Sequence, residues 1–235
     1  MIKKNRIRIY LLITMGFALI ISNSCKKDDK KDEPAPTSTT TVTDIDGNVY
    51  HTITIGTQVW LVENLKTKKY RDGTSITLVT DSLAWSKLTT EAYCNYNNDS
   101  NMAITYGRLY NWYAINDNRN IAPIGWHVAS DVEWLTLINY LGGESVAGGK
   151  LKEAGTTHWL TPNIGATNTT GFTALPGGYR NSGVFENKGY YGYWWSSTEY
   201  SARDAWCRTM DYCNSNANSY DLPKDLGFSV RCVKD

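Results

Sequence analysis

Apolar and polar positions alternate most clearly where the ordered part of the chain begins. Val49, Ile53, Ile55, Val59 and Leu61 fall largely on one face of a period-two repeat, interrupted at Asp46-Gly47-Asn48 and Ile55-Gly56-Thr57. Alternation broken by glycine turns predicts a β-hairpin. Residues 66–104 then lose periodicity and read as loop-rich. Tyr106 to Ala114 reads as a helix with Leu109, Trp112 and Tyr113 inward. Pro123-Ile124-Gly125 is a turn into a short strand at Trp126-His127-Val128. The helix after it carries the strongest local signal. Ser130 with Glu133 three residues on forms a capping box, Trp134, Ile138 and Leu141 share one face, and Gly142-Gly143 ends it. Trp159 to Thr170 is a polar loop. From Gly171 to the C-terminus the chain is dense in aromatics, glycines and β-formers, and this half is expected to build the sheet core and present a ligand face. The pattern predicts an α+β domain, with short helices around a twisted antiparallel sheet and an N-terminal hairpin.

The first 42 residues follow another pattern. Lys3, Lys4, Arg6 and Arg8 precede an apolar run from Tyr10 to Ile21, too short to span a bilayer comfortably. Residues 1–24 are read as an export signal. Ser22-Asn23-Ser24-Cys25 resembles the lipobox of bacterial lipoproteins, with Cys25 as the lipidated residue; Ser22 departs from the aliphatic residue usual there. Residues 25–42 mix lysine and acid, then Pro34-Ala35-Pro36 and a Ser/Thr run, a composition unable to bury a core and read as a tether. The mixed charges after Cys25 resemble the export signal of surface lipoproteins in Bacteroidetes-type bacteria. The expected location is the outer membrane, facing outward, with the membrane as partner through a lipid anchor. The folded domain is expected over 43–235.

Composition narrows the chemistry. Setting aside the four basic residues of the signal leaves 20 basic against 23 acidic side chains, which gives no footprint for nucleic acid. Nine Trp and sixteen Tyr against four Phe favour rings that carry a polar tip, suited to half-exposed surfaces as well as a core. Asp44 to Asn48 fails as a calcium loop, because the glycine comes two places early and Ile55 stands where a bidentate Glu is needed. His51, His127 and His158 share no metal-ligand spacing. Gly148-Gly149-Lys150-Leu151-Lys152 lacks the full phosphate-loop frame, and no nucleophile elbow occurs. No cofactor, metal or catalytic residue is expected.

Beyond Cys25 there are four cysteines, Cys94, Cys207, Cys213 and Cys232. An even number in an exported chain suggests two disulfides among three pairings. Cys94–Cys232 would tie the first half to the last strand, and Cys207–Cys213 would close a short loop. A reactive dithiol at Cys207 and Cys213 is the rival reading.

From Thr43 to Asp235 the chain resembles the Fibrobacter succinogenes major paralogous domain family. The resemblance rests on DIDGNVYHTITIGTQVWLVENLK from Asp44, YCNYNND from Tyr93, YGRLYNWYA from Tyr106, PIGWHVASDVEW from Pro123 and LGGESVAGGKLKE from Leu141. TNTTGFTALPGGYR from Thr167, YWWSST from Tyr193 and GFSVRCV from Gly227 complete it. The resemblance implies a C-type lectin-like fold, shared with formylglycine-generating enzymes and retroelement-diversified binding proteins, and surface lipoprotein status. It implies no established activity. In such folds loops over a rigid sheet are natural binding surfaces. Tyr200, Ser201, Arg203 and Asp204 in one segment, and Asn214, Asn216, Asn218 and Tyr220 in another, are the residue types of adaptable binding surfaces and of diversified patches. Tyr193 and Trp194, beside Tyr190 and Tyr191, are candidates for stacking on sugars. The calcium-linked sugar motifs of true C-type lectins are missing. The expected function is non-catalytic binding of an extracellular glycan or protein. The alternatives are a structural or adhesive surface component, and a copper oxidase using Cys207 and Cys213.

Overall fold

A computed structural model describes residues 40–235. The expected signal at 1–24, Cys25 and the expected tether up to residue 39 lie outside the described residues. The domain is α+β, with short helices and several antiparallel sheets.

The largest sheet has five strands: β1 (Thr41–Thr43), β2 (Val49–Ile55), β3 (Gln58–Leu61), β12 (Cys232–Lys234) and β6 (Trp126–Val128), in that order across it. β1 begins two residues before the boundary drawn at 43. The predicted hairpin is present, with Ile53 opposite Trp60 and Gly56 at positive φ in its turn. The predicted single face is not formed: Ile53 and Ile55 lie on one side of the sheet, Val59 and Leu61 on the other. Val49 is 52% exposed, while Tyr50 beside it is fully buried. The alternation is two-sided because both faces of this sheet are covered. Tyr50, Leu61, Val128 and Cys232 belong to one apolar cluster, and Ile53, Ile55, Trp60 and Val233 to another. The sheet is thus a partition between two cores.

The helix beginning at Ser130 is α4 (Asp131–Tyr140), and both halves of its capping box are made. Trp134, Leu137, Ile138 and Leu141 enter the second core. α5 (Glu144–Leu151) follows Gly142 and Gly143, both at positive φ.

The helix predicted at 106–114 is not formed as one element. α2 (Met102–Tyr106) stops at Gly107, β5 (Leu109–Tyr110) pairs with β4 (Tyr93–Cys94), and α3 (Trp112–Ile115) restarts under an Asn111 cap. Gly107 has φ +75°, and a Cβ there would lie 2.6 Å from Asn64 Cβ. The amides of Arg108 and Tyr110 donate to Leu65 and Phe228, so long-range pairing overrides the helical period. α1 (Ser82–Trp85) and β4 cover a third small cluster containing Trp85, Cys94 and Leu109.

The C-terminal half does not supply the principal sheet; only β12 joins it. Its own structure is a hairpin of β7 (Tyr179–Asn181) and β8 (Val184–Glu186), and a three-stranded sheet of β9 (Tyr191–Glu199), β10 (Asp204–Asp211) and β11 (Asn218–Pro223). β10 is central and β11 lies at an edge. Trp194 and Met210 point into the second core, whereas Trp195 and Cys207 point into the first.

Candidate functional site

Most polar side chains within the motifs are committed to holding the fold. Arg231 is buried and donates to Asn64 Oδ1 at 2.7 Å, to the carbonyls of Leu61 (2.7 Å) and Phe172 (3.0 Å), and to that of Thr173 (3.1 Å). Burial pulls its pKa down to about 9, which still leaves it charged at neutral pH. Asn64 Oδ1 also accepts from Trp194 Nε1 at 2.9 Å. Arg180 lies over Trp85 at 4.4 Å and donates to the carbonyls of Val79, Thr80 and Asp81. Lys152, also buried, caps the carbonyls of Ile164, Asp211 and Asn214. Burial lowers its pKa to about 8, against the attraction of Asp211. These cations satisfy buried carbonyls, most of them on irregular chain outside the strands. The glycines before Lys152 serve the same close approach: a Cβ on Gly148 would fall 2.1 Å from the Asn216 carbonyl oxygen.

The predicted ligand residues separate into four places. Trp194 is fully buried, so it offers no stacking surface. Tyr200, Ser201, Arg203 and Asp204 form the β9–β10 turn, where Ser201 Oγ accepts from the amides of Arg203 and Asp204. Tyr200 stands 55% exposed, edge-on to Trp206. Asn214 and Asn216 lie in the β10–β11 turn. There Asn214 Nδ2 donates to Asp211 at 2.6 Å, Asn214 Oδ1 accepts from the Asn216 amide at 2.7 Å, and its carbonyl accepts from Lys152. Asn214 is therefore a turn-builder. β10 separates the two turns by about 23 Å at the usual rise per residue, so they do not form one loop cluster.

The remaining three candidates, Tyr193, Asn218 and Tyr220, do converge. Thr209 is opposite both Tyr193 and Asn218, Cys207 is opposite Tyr220, and Asp211 is opposite Tyr191. Period two then places Tyr191, Tyr193, Asn218 and Tyr220 on one face. Tyr179, from β7, packs on Tyr193 at 4.7 Å, and Tyr193 stacks on Phe228 at 5.0 Å. Tyr220 is 50% exposed, and Tyr179, Tyr191 and Tyr193 are partly buried. Tyr179 Oη donates to Glu186. Burial raises the pKa of Tyr193 to about 12 and that of Tyr191 above the usual value, so both hydroxyls are intact at neutral pH. The face is a shelf of rings edged with hydroxyls and an amide. Sequence reasoning named Tyr191 and Tyr193 as stacking candidates but passed over Tyr179 and Glu186, because the β7–β9 contact has no local signature.

The two expected disulfides are absent: all four cysteines are free. Cys94 fills the third cluster, and Cys232 the first. Burial pushes the Cys94 thiol up to about 12 and raises those of Cys207 and Cys232. About 13 Å of strand separates Cys207 from Asp211, whereas a disulfide needs Cα atoms within about 7 Å. Cys213 lies beyond that strand end and is exposed. His127 bridges Glu133 and Asp235, His51 pairs with Glu63, and His158 with Glu153. No group of three side chains able to hold a metal occurs among the described residues.

Neither a curated protein nor a solved structure matches the chain. The family model of the Fibrobacter succinogenes major domain matches residues 53–234, over three-quarters of the sequence, and the chain belongs to that family.

Proposed function

We propose that this chain is an exported lipoprotein, anchored through Cys25 in the outer membrane and facing outward. Its domain binds an extracellular glycan or protein without catalysis. The observation that carries the reading is the convergence of Tyr179, Tyr191, Tyr193, Asn218 and Tyr220, from three separate strands, on one face at the margin of the first core, with Tyr220 exposed and the others partly buried. Tyrosine offers large contact area with few torsions to freeze and keeps a hydroxyl for polar recognition. A C-type lectin-like arrangement is the finer fold reading, supported by a first hairpin and a last strand that meet in one sheet.

The test is binding of the full chain to a glycan and host-protein panel, with Tyr193→Ala and Tyr220→Ala beside wild type. Loss of a hit in both variants, with the fold intact, is the expected result. A hit lost only on Tyr200→Ala would move the site to the β9–β10 turn. One observation favours an adhesive second reading. The outer side of α4 carries Val132, Leu135 and Tyr140 exposed, without a charge among them. Self-association abolished by Leu135→Lys, with no panel hit, would establish that reading instead.

A further inference from the structure

We infer that the edge of the domain where the chain enters β1 lies against the lipid surface, through Ile45 and Ile124. This rests on the lipoprotein reading above. Ile124 is 85% exposed and Ile45 53%. The two rim a cleft of about 190 Å³ between the Asp44–Ile45 turn and the Ile121–Ile124 segment, with Arg71 and Thr43 in its wall.

The local backbone does not require isoleucine at position 124. Pro123 to Trp126 is a tight turn closed by the Trp126 amide on the Pro123 carbonyl at 3.1 Å, with Gly125 at φ +79°. Its second position accepts most residues, and Ile124 contributes nothing there to the core. Ile45 and Ile124 thus present apolar side chains outward at the mouth of a cleft whose wall also holds Thr43, Asp44 and Arg71.

The occupant follows from where the chain outside the structure ends. Thr43 lines the cleft and lies three residues from the first described residue. Thr40 lies fifteen residue steps from Cys25, so covalent geometry alone keeps this edge within about 50 Å of a lipidated Cys25. A tethered surface meets its target at high effective concentration, so a weak contact suffices. The flank has headgroup chemistry too. Lys68 is exposed, and Lys69 reaches Asp46 at 3.6 Å, neutralising the acid of the turn. Asp72 is the exposed acid of the same flank.

The test uses the full chain carrying Ile124→Cys, in vesicles of phosphatidylethanolamine and phosphatidylglycerol, labelled with a maleimide and read by peptide mass. Exposed Cys213 is the internal reference. Relative to a Cys25→Ser chain in solution, labelling at position 124 is expected to fall at least about tenfold while that at Cys213 holds. Equal labelling at both positions overturns the inference and leaves the lipoprotein reading standing. An unacylated Cys25 in the N-terminal peptide overturns both. Protection of position 124 in the Cys25→Ser chain that grows with protein concentration and needs no vesicles means a second copy sits there, which also overturns it.

Discussion

The cation-stapled interior and the tyrosine shelf lie on either side of the same β9–β10 sheet, and their polar groups behave oppositely. Inside, Arg231 gives its donors to Asn64 and three carbonyls, and Trp194 is bonded to that same Asn64. On the shelf, Tyr220 stands half exposed and Asn218 partly buried in an edge strand. The motifs that make the sequence recognisable contribute mostly to the first region. A motif-rich stretch is therefore a guide to how irregular chain is held, and the binding surface is what that holding leaves uncommitted.

The sharpest way to break this contrast is Arg231→Met. It keeps volume but leaves three carbonyls without that donor, while Asn64 Oδ1 keeps its bond from Trp194. Each orphaned acceptor costs about 1–3 kcal/mol, so a loss of at least about 3 kcal/mol is expected in urea unfolding, enough to unfold a marginal domain. A loss under 1 kcal/mol would mean that water replaces the guanidinium and the staple is dispensable. Gly148→Ala comes next. Its Cβ would meet the Asn216 carbonyl oxygen at 2.1 Å, and overpacking of this kind costs about 1–3 kcal/mol. An unchanged midpoint would show that α5 and the β10–β11 turn can part freely. Tyr220→Ala sharpens the contrast from the other side. The ring is half exposed, so stability should move by less than about 0.5 kcal/mol. Binding should weaken at least about tenfold if Tyr220 is one of the few residues that dominate an interface. A stability loss as large as that of Gly148→Ala would place Tyr220 in the core economy of the fold rather than on a ligand surface.

These regions were unequally legible in the sequence. The Ser130 capping box and the β2–β3 hairpin are local, and local chemistry suffices for them. The break at Gly107 was hidden because Leu109, Trp112 and Tyr113 keep a helical spacing while the amides of Arg108 and Tyr110 are drawn to Leu65 and Phe228. The disulfide reading failed because cysteine counting takes compartment as its guide, whereas Cys94, Cys207 and Cys232 serve as small apolar fillers. Trp194 and Trp195 could not be sorted by alternation, since a sheet covered on both sides buries both residues of an adjacent pair. Half of the shelf was visible as the period-two pair Tyr191 and Tyr193. The other half depends on the register of β11 and the docking of β7, which adjacent residues do not encode.

The smallest expected effect concerns a residue that lies in a motif yet at the surface. His127 joins Asp235 through Nδ1 and Glu133 through Nε2, each at 2.7 Å. Burial disfavours its charge, but the two carboxylates outweigh this and hold its pKa above the ordinary 6.5. Burial likewise opposes the Glu133 carboxylate, and bonds from Ser130 and His127 hold its pKa below the ordinary 4.5. A raised imidazole pKa adds stability that is complete below about 6.5 and fades as pH climbs through the folded value. A depressed carboxyl pKa adds stability that is complete above about 4.5 and fades as pH falls through its folded value. The bridge is therefore strongest between those two values. With His127 about one-third exposed and Asp235 more than half, solvent screening keeps its worth at roughly 0.2–1 kcal/mol. The stability difference between wild type and His127→Gln should peak near about pH 5.5 and shrink as pH rises through the raised imidazole pKa. A difference that is large and flat with pH would mean that His127 acts by packing, as Trp126 and Val128 beside it do. It would then belong with the interior staples rather than with the rim.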